Sequence, residues 1–436
     1  MKNNFLGRQR EKIKNLCLLL LQRLWITFEL FNRDGLMNHA AACAYGFLLS
    51  AAPALLFISF VVSRALFASP ELAENLLGQI GLLFGIFDIE NPIRNFLSSA
   101  NFGLAGLFSV ITIFWTARLC TLSVQRGFGV IFPGRRSALR DNIATLGLGL
   151  LAMFVIFIIL FGLRLAVNFY DPSGPASAKF FAPIILNSAR ILLLLCLTLL
   201  TLVAYRFFPA APQKGINIIF GVLVCIIFYR IFNMGFTLLI SPDRYNLIYG
   251  ALGRLFLFLV NVYFFFVFFF FGAQWIHVLG ISDALLFARF RQVHEKRPPS
   301  KSLLDKLFAA PPAPLSKYMV FYKKDDIVFL LRSRGQEVYY ILSGKAGVYL
   351  DNETQNRIAF IDEGHFFGEI SSLASDTKTG RAATIKAETD LSVLALPLEL
   401  FNVILRIDPN TDHNLITTLS KQLKSANNQI KATKKS

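Results

Sequence analysis

The chain has 436 residues, of which 55% are hydrophobic, 14% aromatic and only 16% charged, with a mean hydropathy of +0.54. Soluble domains carry roughly 25% charge, so this composition excludes a single water-soluble globule, a disordered chain and a disulfide-stapled secreted module. The net charge of +17 is unevenly placed: residues 1–300 hold 26 Lys/Arg and 12 Asp/Glu, whereas residues 301–436 hold 18 and 15.

Residues 1–38 open on a basic flank of Lys2, Arg8, Arg10, Lys12 and Lys14. The following apolar stretch, Ile13–Phe31, is interrupted by Gln22, Arg23 and Glu29. Those interruptions argue against a span and against a cleaved signal, and suit a helix lying on an anionic leaflet.

Crossing a bilayer takes about 20 mainly apolar residues in a helix. Six runs meet this: Ala40–Leu66, Phe102–Gln125, Asn142–Phe169, Ala182–Phe208, Ile216–Ile240 and Gly250–Leu279. Most of the 45 Phe residues lie here, and the unbroken apolarity of Phe264–Phe271 suits lipid contact better than a one-sided soluble helix. Arg126, Arg135, Arg136 and Arg140 follow the second run, and Arg206 and Lys214 the fourth. Since cytoplasmic flanks hold the Lys/Arg excess, both termini are expected in the cytoplasm.

The five cysteines all fall in apolar stretches without CxxC spacing, so neither a disulfide framework nor a zinc site is expected. The five histidines are scattered and none has ligand spacing with a carboxylate. No metal is expected.

Several strings in the front are distinctive: His39–Pro53 with Tyr45, Ser50 and Pro53 at the spacing Tyr-x-x-x-x-Ser-x-x-Pro, Tyr205-Arg206-Phe207-Phe208-Pro209, Tyr245–Gly253, and Phe271-Gly272-Ala273-Gln274. Together they resemble the YihY/BrkB family of bacterial inner-membrane proteins over roughly residues 20–285. Gln274 stands where that family usually has a glutamate. Some members once carried a tRNA-processing ribonuclease label, but a nuclease needs clustered Asp/Glu/His to hold metal and activate water. The front has no such cluster, and no enzymatic activity is expected.

Intramembrane arginines are more informative. Arg64, Arg118, Arg164, Arg190, Arg230 and Arg254 lie inside or near the ends of spans that contain no Asp or Glu. An arginine at mid-span costs about 2.5–3.5 kcal/mol on translocon scales, so such residues normally face water or a partner. Arg64 and Arg254 lie near enough to span ends to snorkel. Arg118, Arg164 and Arg190 are candidates for lining a cavity that takes an anionic solute or lipid head group.

The sequence predicts a membrane domain over 39–285 and a linker over 286–316, where the texture becomes proline-rich around a short amphipathic helix, Leu303–Phe308. From 317 onward short β-branched and aromatic runs alternate with turns: Asp326–Leu331, Glu337–Ser343, Gly347–Asp351, Arg357–Ile361, Ala383–Ala387 and Leu391–Leu396. This pattern predicts a jelly-roll-like barrel, followed by helices at Pro397–Leu405 and Asn410–Ala432.

Within the barrel pattern stand Val338–Gly347, then Gly364-His-Phe-Phe-Gly368-Glu369-Ile370-Ser371, then Gly380-Arg381-Ala382-Ala383-Thr384. These resemble the cyclic nucleotide-binding domain of catabolite activators, kinase regulatory subunits and gated channels. The resemblance implies a ligand site of Gly368, Glu369, Ile370, Ser371, Arg381, Ala382 and Ala383. Gly368 would let backbone N–H groups approach an anion, Glu369 would accept from the ribose 2′-hydroxyl, and Arg381 would offer its fork to the cyclic phosphate. Within that family, alanine directly after the arginine accompanies cAMP, so Ala382 favours cAMP over other cyclic nucleotides. Glu369 and Arg381 are separated by a longer tip than in compact forms, and that tip carries Asp376.

The expected whole is a polytopic α-helical membrane bundle of six transmembrane helices, followed by a β jelly-roll cyclic nucleotide-binding domain with flanking helices. The expected function is a multi-pass inner-membrane transporter or lipid- and anion-handling bundle regulated by cyclic nucleotide. The alternative is a non-transporting scaffold whose tail is a sensor or an interaction module. The expected partners are the lipid bilayer and the cyclic nucleotide, with an anionic solute or lipid head group in the bundle. No helix-turn-helix follows residue 405 and no nucleic acid partner is expected; a homo-oligomer is left open.

Overall fold

The computed structural model describes residues 2–49, 121–134, 194–239, 242–295, 306–354, 357–369 and 380–408. The chain separates into two compact units, one of Thr27–Gly280 and one that combines Met1–Ile26 with Ile281–Ser436.

In the unit of Thr27–Gly280 the elements among the described residues are helical. α1 runs over Lys2–Arg33 and enters this unit at Thr27. Then come α2 (Leu36–Leu49), α3 (121–131), α4 (Leu194–Phe207), α5 (Gly215–Leu239) and α6 (Pro242–Gly280). Two helices among the described residues are long and apolar enough to cross a membrane, Gly215–Leu238 and Phe256–Gly280. They coincide with the fifth and sixth expected spans. The third expected span lies outside the described residues, as do most of the first and second and the first half of the fourth, so the described residues do not show six.

α5 and α6 pack along an aromatic seam. Phe232 stacks on Phe264 at 4.2 Å between ring centroids and Phe228 on Phe268 at 6.1 Å, while Tyr229 Oη donates to Asn261 Oδ1 at 2.6 Å. Without a hydrophobic drive between helices in lipid, close backbone approach and internal hydrogen bonds hold such pairs. Gly221 and Gly272 provide the approach: a Cβ on Gly272 would stand 2.7 Å from the Gly221 carbonyl oxygen. Deeper in, Phe128 is fully buried among Phe132, Tyr205, Phe208, Phe269 and Phe270. The Tyr205 hydroxyl finds its acceptor in the Phe269 carbonyl at 2.6 Å.

The other unit contains a two-sheet β-sandwich flanked by helices. Its elements are α7 (Ser282–Glu295), the 3-10 helix η1 (Ala313–Tyr318), β1 (Met319–Tyr322), β2 (Ile327–Phe329), β3 (Val338–Ser343), β4 (Ala346–Tyr349), β5 (Arg357–Ile361), β6 (Phe366–Phe367), β7 (Thr384–Ala387), β8 (Leu391–Leu396) and α8 (Leu398–Ile407). The strands form two antiparallel four-stranded sheets in the orders β1-β8-β3-β6 and β2-β7-β4-β5.

β3 is buried on both faces because its apolar run is continuous. Tyr339 and Ile341 point between the sheets, where they meet Phe367, Ile385, Ala387, Leu391 and Val393. Val338, Tyr340 and Leu342 point the other way, toward Phe287 and Phe290 of α7, Leu315 of η1, and Phe401 and Ile404 of α8. The jelly-roll expectation therefore holds, with β5 and β8 at their expected limits. β1 and β6 were not foreseen.

The largest departure is at the expected linker. Its start at residue 286 falls inside α7, whose Ala284, Phe287 and Phe290 are buried against the helix-facing side of β3 with η1 and α8. Buried Arg291 also pairs with buried Asp408 at the end of α8, 3.8 Å apart. Leu303–Asp305 and the terminal helix expected over Asn410–Ala432 lie outside the described residues.

Candidate functional site

The site forms where β6 ends and where β7 begins. Strand β6 pairs with β3 through Tyr339↔Phe367 and Tyr340↔Phe366. Directly after it the backbone turns at Gly368 with φ +82°, a left-handed conformation that side chains with a Cβ rarely adopt. A Cβ there would also stand 2.7 Å from Arg381 Nη1 and 3.3 Å from the Glu337 carbonyl oxygen. Both the backbone angle and the lack of room call for glycine.

Arg381 is 3% exposed and is held from all sides. Its Nη1 donates to the Gly368 carbonyl and its Nη2 to the Glu337 carbonyl, each at 2.9 Å. The guanidinium lies 4.3 Å over the Phe329 ring and 5.7 Å from that of Tyr339, a favourable cation–π arrangement. Tyr339 in turn stacks on Phe367 at 5.1 Å and 9°. Phe329, Tyr339 and Phe367 thus make an aromatic floor under the cation.

The backbone around Arg381 is fixed as well. Its N–H donates to the Ser333 carbonyl at 3.0 Å, and its carbonyl accepts from Arg332 N–H at 2.8 Å. Fully buried Thr384, three residues on, accepts from Leu331 N–H at 2.9 Å and donates to Asn352 Oδ1 at 2.9 Å. The loop from β2 to β3 is thereby stitched to the start of β7 and to the segment just before it, which carries the arginine.

Glu369 is 2% exposed, and its Oε2 is buried with no hydrogen-bond partner among the described residues. Burial pushes its carboxyl above the usual value, against the opposing influence of its own backbone N–H and of the Arg381 charge. Burial likewise lowers Arg381, while Tyr339, Glu337 and Glu369 oppose this. The Tyr339 phenol is pushed up by burial and by its 2.8 Å hydrogen bond to Glu337 Oε2.

Glu369 makes the stability of this unit depend on pH. Its ordinary value is 4.5, and the folded value lies above it. The native state therefore keeps this proton to higher pH than the unfolded chain. The contribution is fully present below the ordinary value, and is lost as pH rises through the raised one. Glu369→Gln removes the buried charge, so the ligand-free variant should melt higher than the parent near about pH 7, with the gap closing toward about pH 4. Melting curves of both proteins across that range check this; a constant gap would contradict it.

Of the residues expected from the sequence, Gly368, Glu369 and Arg381 come together; Ala382 is exposed and Ala383 half-buried beside them. Ile370, Ser371 and the tip with Asp376 lie outside the described residues. So do the proposed cavity arginines Arg118, Arg164 and Arg190, whereas Arg230 is exposed on α5. Sequence reasoning missed the aromatic floor, the Glu337 carbonyl and the Thr384–Asn352 pin. A signal for the floor was present: alternation along β3 and β6 puts Tyr339 and Phe367 on the intersheet face. Among the described residues no group of three or more His, Cys, Asp or Glu could hold a metal ion.

Comparison with known proteins bears on both units. The family model described as Virulence factor BrkB matches residues 27–292, and that of the cyclic nucleotide-binding domain matches residues 319–408. No curated protein matches the chain. Among solved structures, the chain is similar to the catabolite activator protein of Thermus thermophilus, at 28% identity and a TM-score of 0.23, covering 26% of this chain and 52% of that one. The chain thus spans about half the length of that protein. It is also similar to a transcriptional regulator of Thermotoga maritima (15% identity, TM-score 0.23, 26% of this chain and 87% of that one). A third is a CooA variant of Carboxydothermus hydrogenoformans (24% identity, TM-score 0.22, 29% and 55%). With more than half of its length matched, the chain belongs to the BrkB virulence-factor family of membrane proteins and carries a cyclic nucleotide-binding domain after the membrane portion.

Proposed function

We propose that this chain is a non-enzymatic, multi-pass inner-membrane protein with cytoplasmic termini, whose bundle handles an anionic solute or lipid and is regulated by a cyclic nucleotide. The observation that carries the regulatory part is the pairing of Arg381, fixed with its guanidinium on an aromatic floor, with Glu369, whose buried Oε2 has no donor among the described residues. A buried acceptor left unmade costs about 1–3 kcal/mol, more when charged. A ribose hydroxyl would supply the missing donor, and the guanidinium would supply charge for a cyclic phosphate. Such a ligand binds the folded state alone and stabilises it. Ala382 after the arginine favours cAMP.

Calorimetric titration of the full-length protein in detergent with cAMP, cGMP and cyclic dinucleotides tests this. Saturable heat is expected with cAMP, at lower affinity with cGMP. Radiolabel flux or lipid flip in liposomes, with and without cAMP, tests the transport part. No heat with any nucleotide would refute the sensor, and flux indifferent to a nucleotide that binds would refute the regulation.

A further inference from the structure

We infer that the amino-terminal helix α1 is a regulatory arm of the nucleotide-binding unit, docked through Gln22 and Arg23 so that cyclic nucleotide binding at Glu369 and Arg381 is coupled to its grip. This rests on the nucleotide-binding reading of that site.

Residues 2–26 of α1 belong to the same compact unit as the β-sandwich, although more than 250 residues separate them in the chain. The attachment is local. Between Ile13 and Leu21 the apolar side chains are largely exposed, with Ile13 at 64% and Leu16 at 58%, and burial starts abruptly at Gln22, which is 1% exposed. Its Nε2 donates to the Leu307 carbonyl at 2.7 Å, and next to it Arg23 Nη2 donates to Ser282 Oγ at 3.2 Å. A buried amide commits to its partner, because losing that partner inside the protein costs the full desolvation penalty. The contact is therefore specific in a way that greasy packing of the leucines would not be.

The place where α1 docks is a junction of three segments. Ser282 Oγ donates to Asp283 Oδ1 at 3.3 Å, and Asp283 Oδ2 accepts from Lys317 Nζ at 2.6 Å and Tyr318 Oη at 3.3 Å. Lys317 and Tyr318 end η1, which runs directly into β1. The hydrogen bond to Asp283 also raises the Lys317 amine. The first turn of α7 and the entry to the sandwich thus meet at one carboxylate, to which α1 is joined through the Ser282 hydroxyl.

One turn later the same helix α7 packs on the back of the strands that carry the nucleotide site. Phe287 meets Tyr340 edge-on at 5.2 Å and Phe366 at 6.0 Å, and the Arg291 guanidinium lies 5.4 Å over Phe366. Phe366 is one of the two residues of β6. The other, Phe367, faces the opposite way, stacked on Tyr339 beneath Arg381. A shift of β6 that accommodates a ligand on one face must therefore be met by α7 on the other, and α7 begins at the residues that hold Arg23. Packed interiors pass such shifts on because they have little free volume.

Coupling of this kind is reciprocal: if ligand changes the grip on α1, loosening the grip changes ligand affinity by the same factor. Gln22→Ala and, separately, Asp283→Asn in the full-length protein should each change the calorimetric Kd for cAMP by about fivefold or more, the lower end of usual coupling. Neither residue belongs to the nucleotide site. On the unsubstituted protein, cAMP should alter amide hydrogen exchange over residues 13–26, a readout that needs no variant to fold. Unchanged exchange in α1 while β6 becomes protected, with Kd within twofold in both variants, overturns the arm and leaves the nucleotide site standing. Absence of cAMP heat in the unsubstituted protein fells the nucleotide reading, and the arm with it.

Discussion

Arg381→Ala should weaken cyclic nucleotide binding to the full-length protein by at least about a hundredfold. Hydrogen bonds to charged groups contribute about 1.5–3 kcal/mol each, so losing a two-pronged contact removes about 3 kcal/mol or more, and each 1.4 kcal/mol is tenfold in Kd. The loss has a second origin in this site. The same guanidinium ties the Gly368 and Glu337 carbonyls together, 2.9 Å from each, so the alanine variant also releases the turn that follows β6. Arg381→Lys should recover little, because an ammonium lacks the planar fork and does not stack over Phe329 in the same way. Calorimetry with cAMP measures the effect; affinity within threefold of the parent would show that Arg381 is structural only.

The second large effect concerns stability rather than ligand. Arg291 and Asp408 are 2% and 4% exposed in their side chains, 3.8 Å apart, at the seam between α7 and α8. Breaking a buried pair by removing one partner typically costs 3–5 kcal/mol, whereas replacing both by apolar groups of similar volume is often neutral or stabilising. Asp408→Ala should therefore lower the melting temperature of the nucleotide-binding unit by roughly ten degrees. The double variant Arg291→Met with Asp408→Leu should recover most of it. Thermal hydrogen exchange of β3 amides in the full-length protein separates this unit from the membrane helices. An additive double variant, as destabilised as the two singles together, would show that the charges act independently.

The contrast between these two arginines marks what could be read from the sequence. Arg381 announced itself, because Gly368, Glu369 and Arg381 stand at a recognisable spacing within a run of short strands. Arg291 did not. Beside Arg289, Glu295 and Lys296 it looked like one more solvated charge in a linker, and only the burial of Ala284, Phe287 and Phe290 on the same helix shows that α7 belongs to the core. β6 was missed for a related reason: two residues are too short for alternation to be detected. Phe329, Tyr339 and Phe367 were visible as apolar strand residues, but their role as a floor for a cation depends on cross-strand pairing that no local pattern encodes. The contacts of Gln22 and Arg23 join positions 285 and 259 residues apart and leave no local trace. The apolar helices expected at Ile216–Ile240 and Gly250–Leu279, by contrast, were legible as such, and overlap the stretches Gly215–Leu238 and Phe256–Gly280 that are long and apolar enough to cross a membrane. An apolar helix of 25 residues is long enough to cross a bilayer and too uniform around its circumference for a one-sided soluble helix.

The shortness of β6 has a further consequence for how this domain tolerates change. Phe366 and Phe367 are consecutive, so one serves the helix side of the sheet and the other the ligand side, and only their pairing with Tyr340 and Tyr339 decides which is which. A single-residue deletion or insertion just before Phe366 would slide the pair by one position, because side chains alternate with every residue. One phenylalanine would take the other's slot and the second would leave the paired positions, so one face of the strand loses its ring while Gly368 loses its place beside Arg381. Length change at this point should thus damage the packing and the ligand site together.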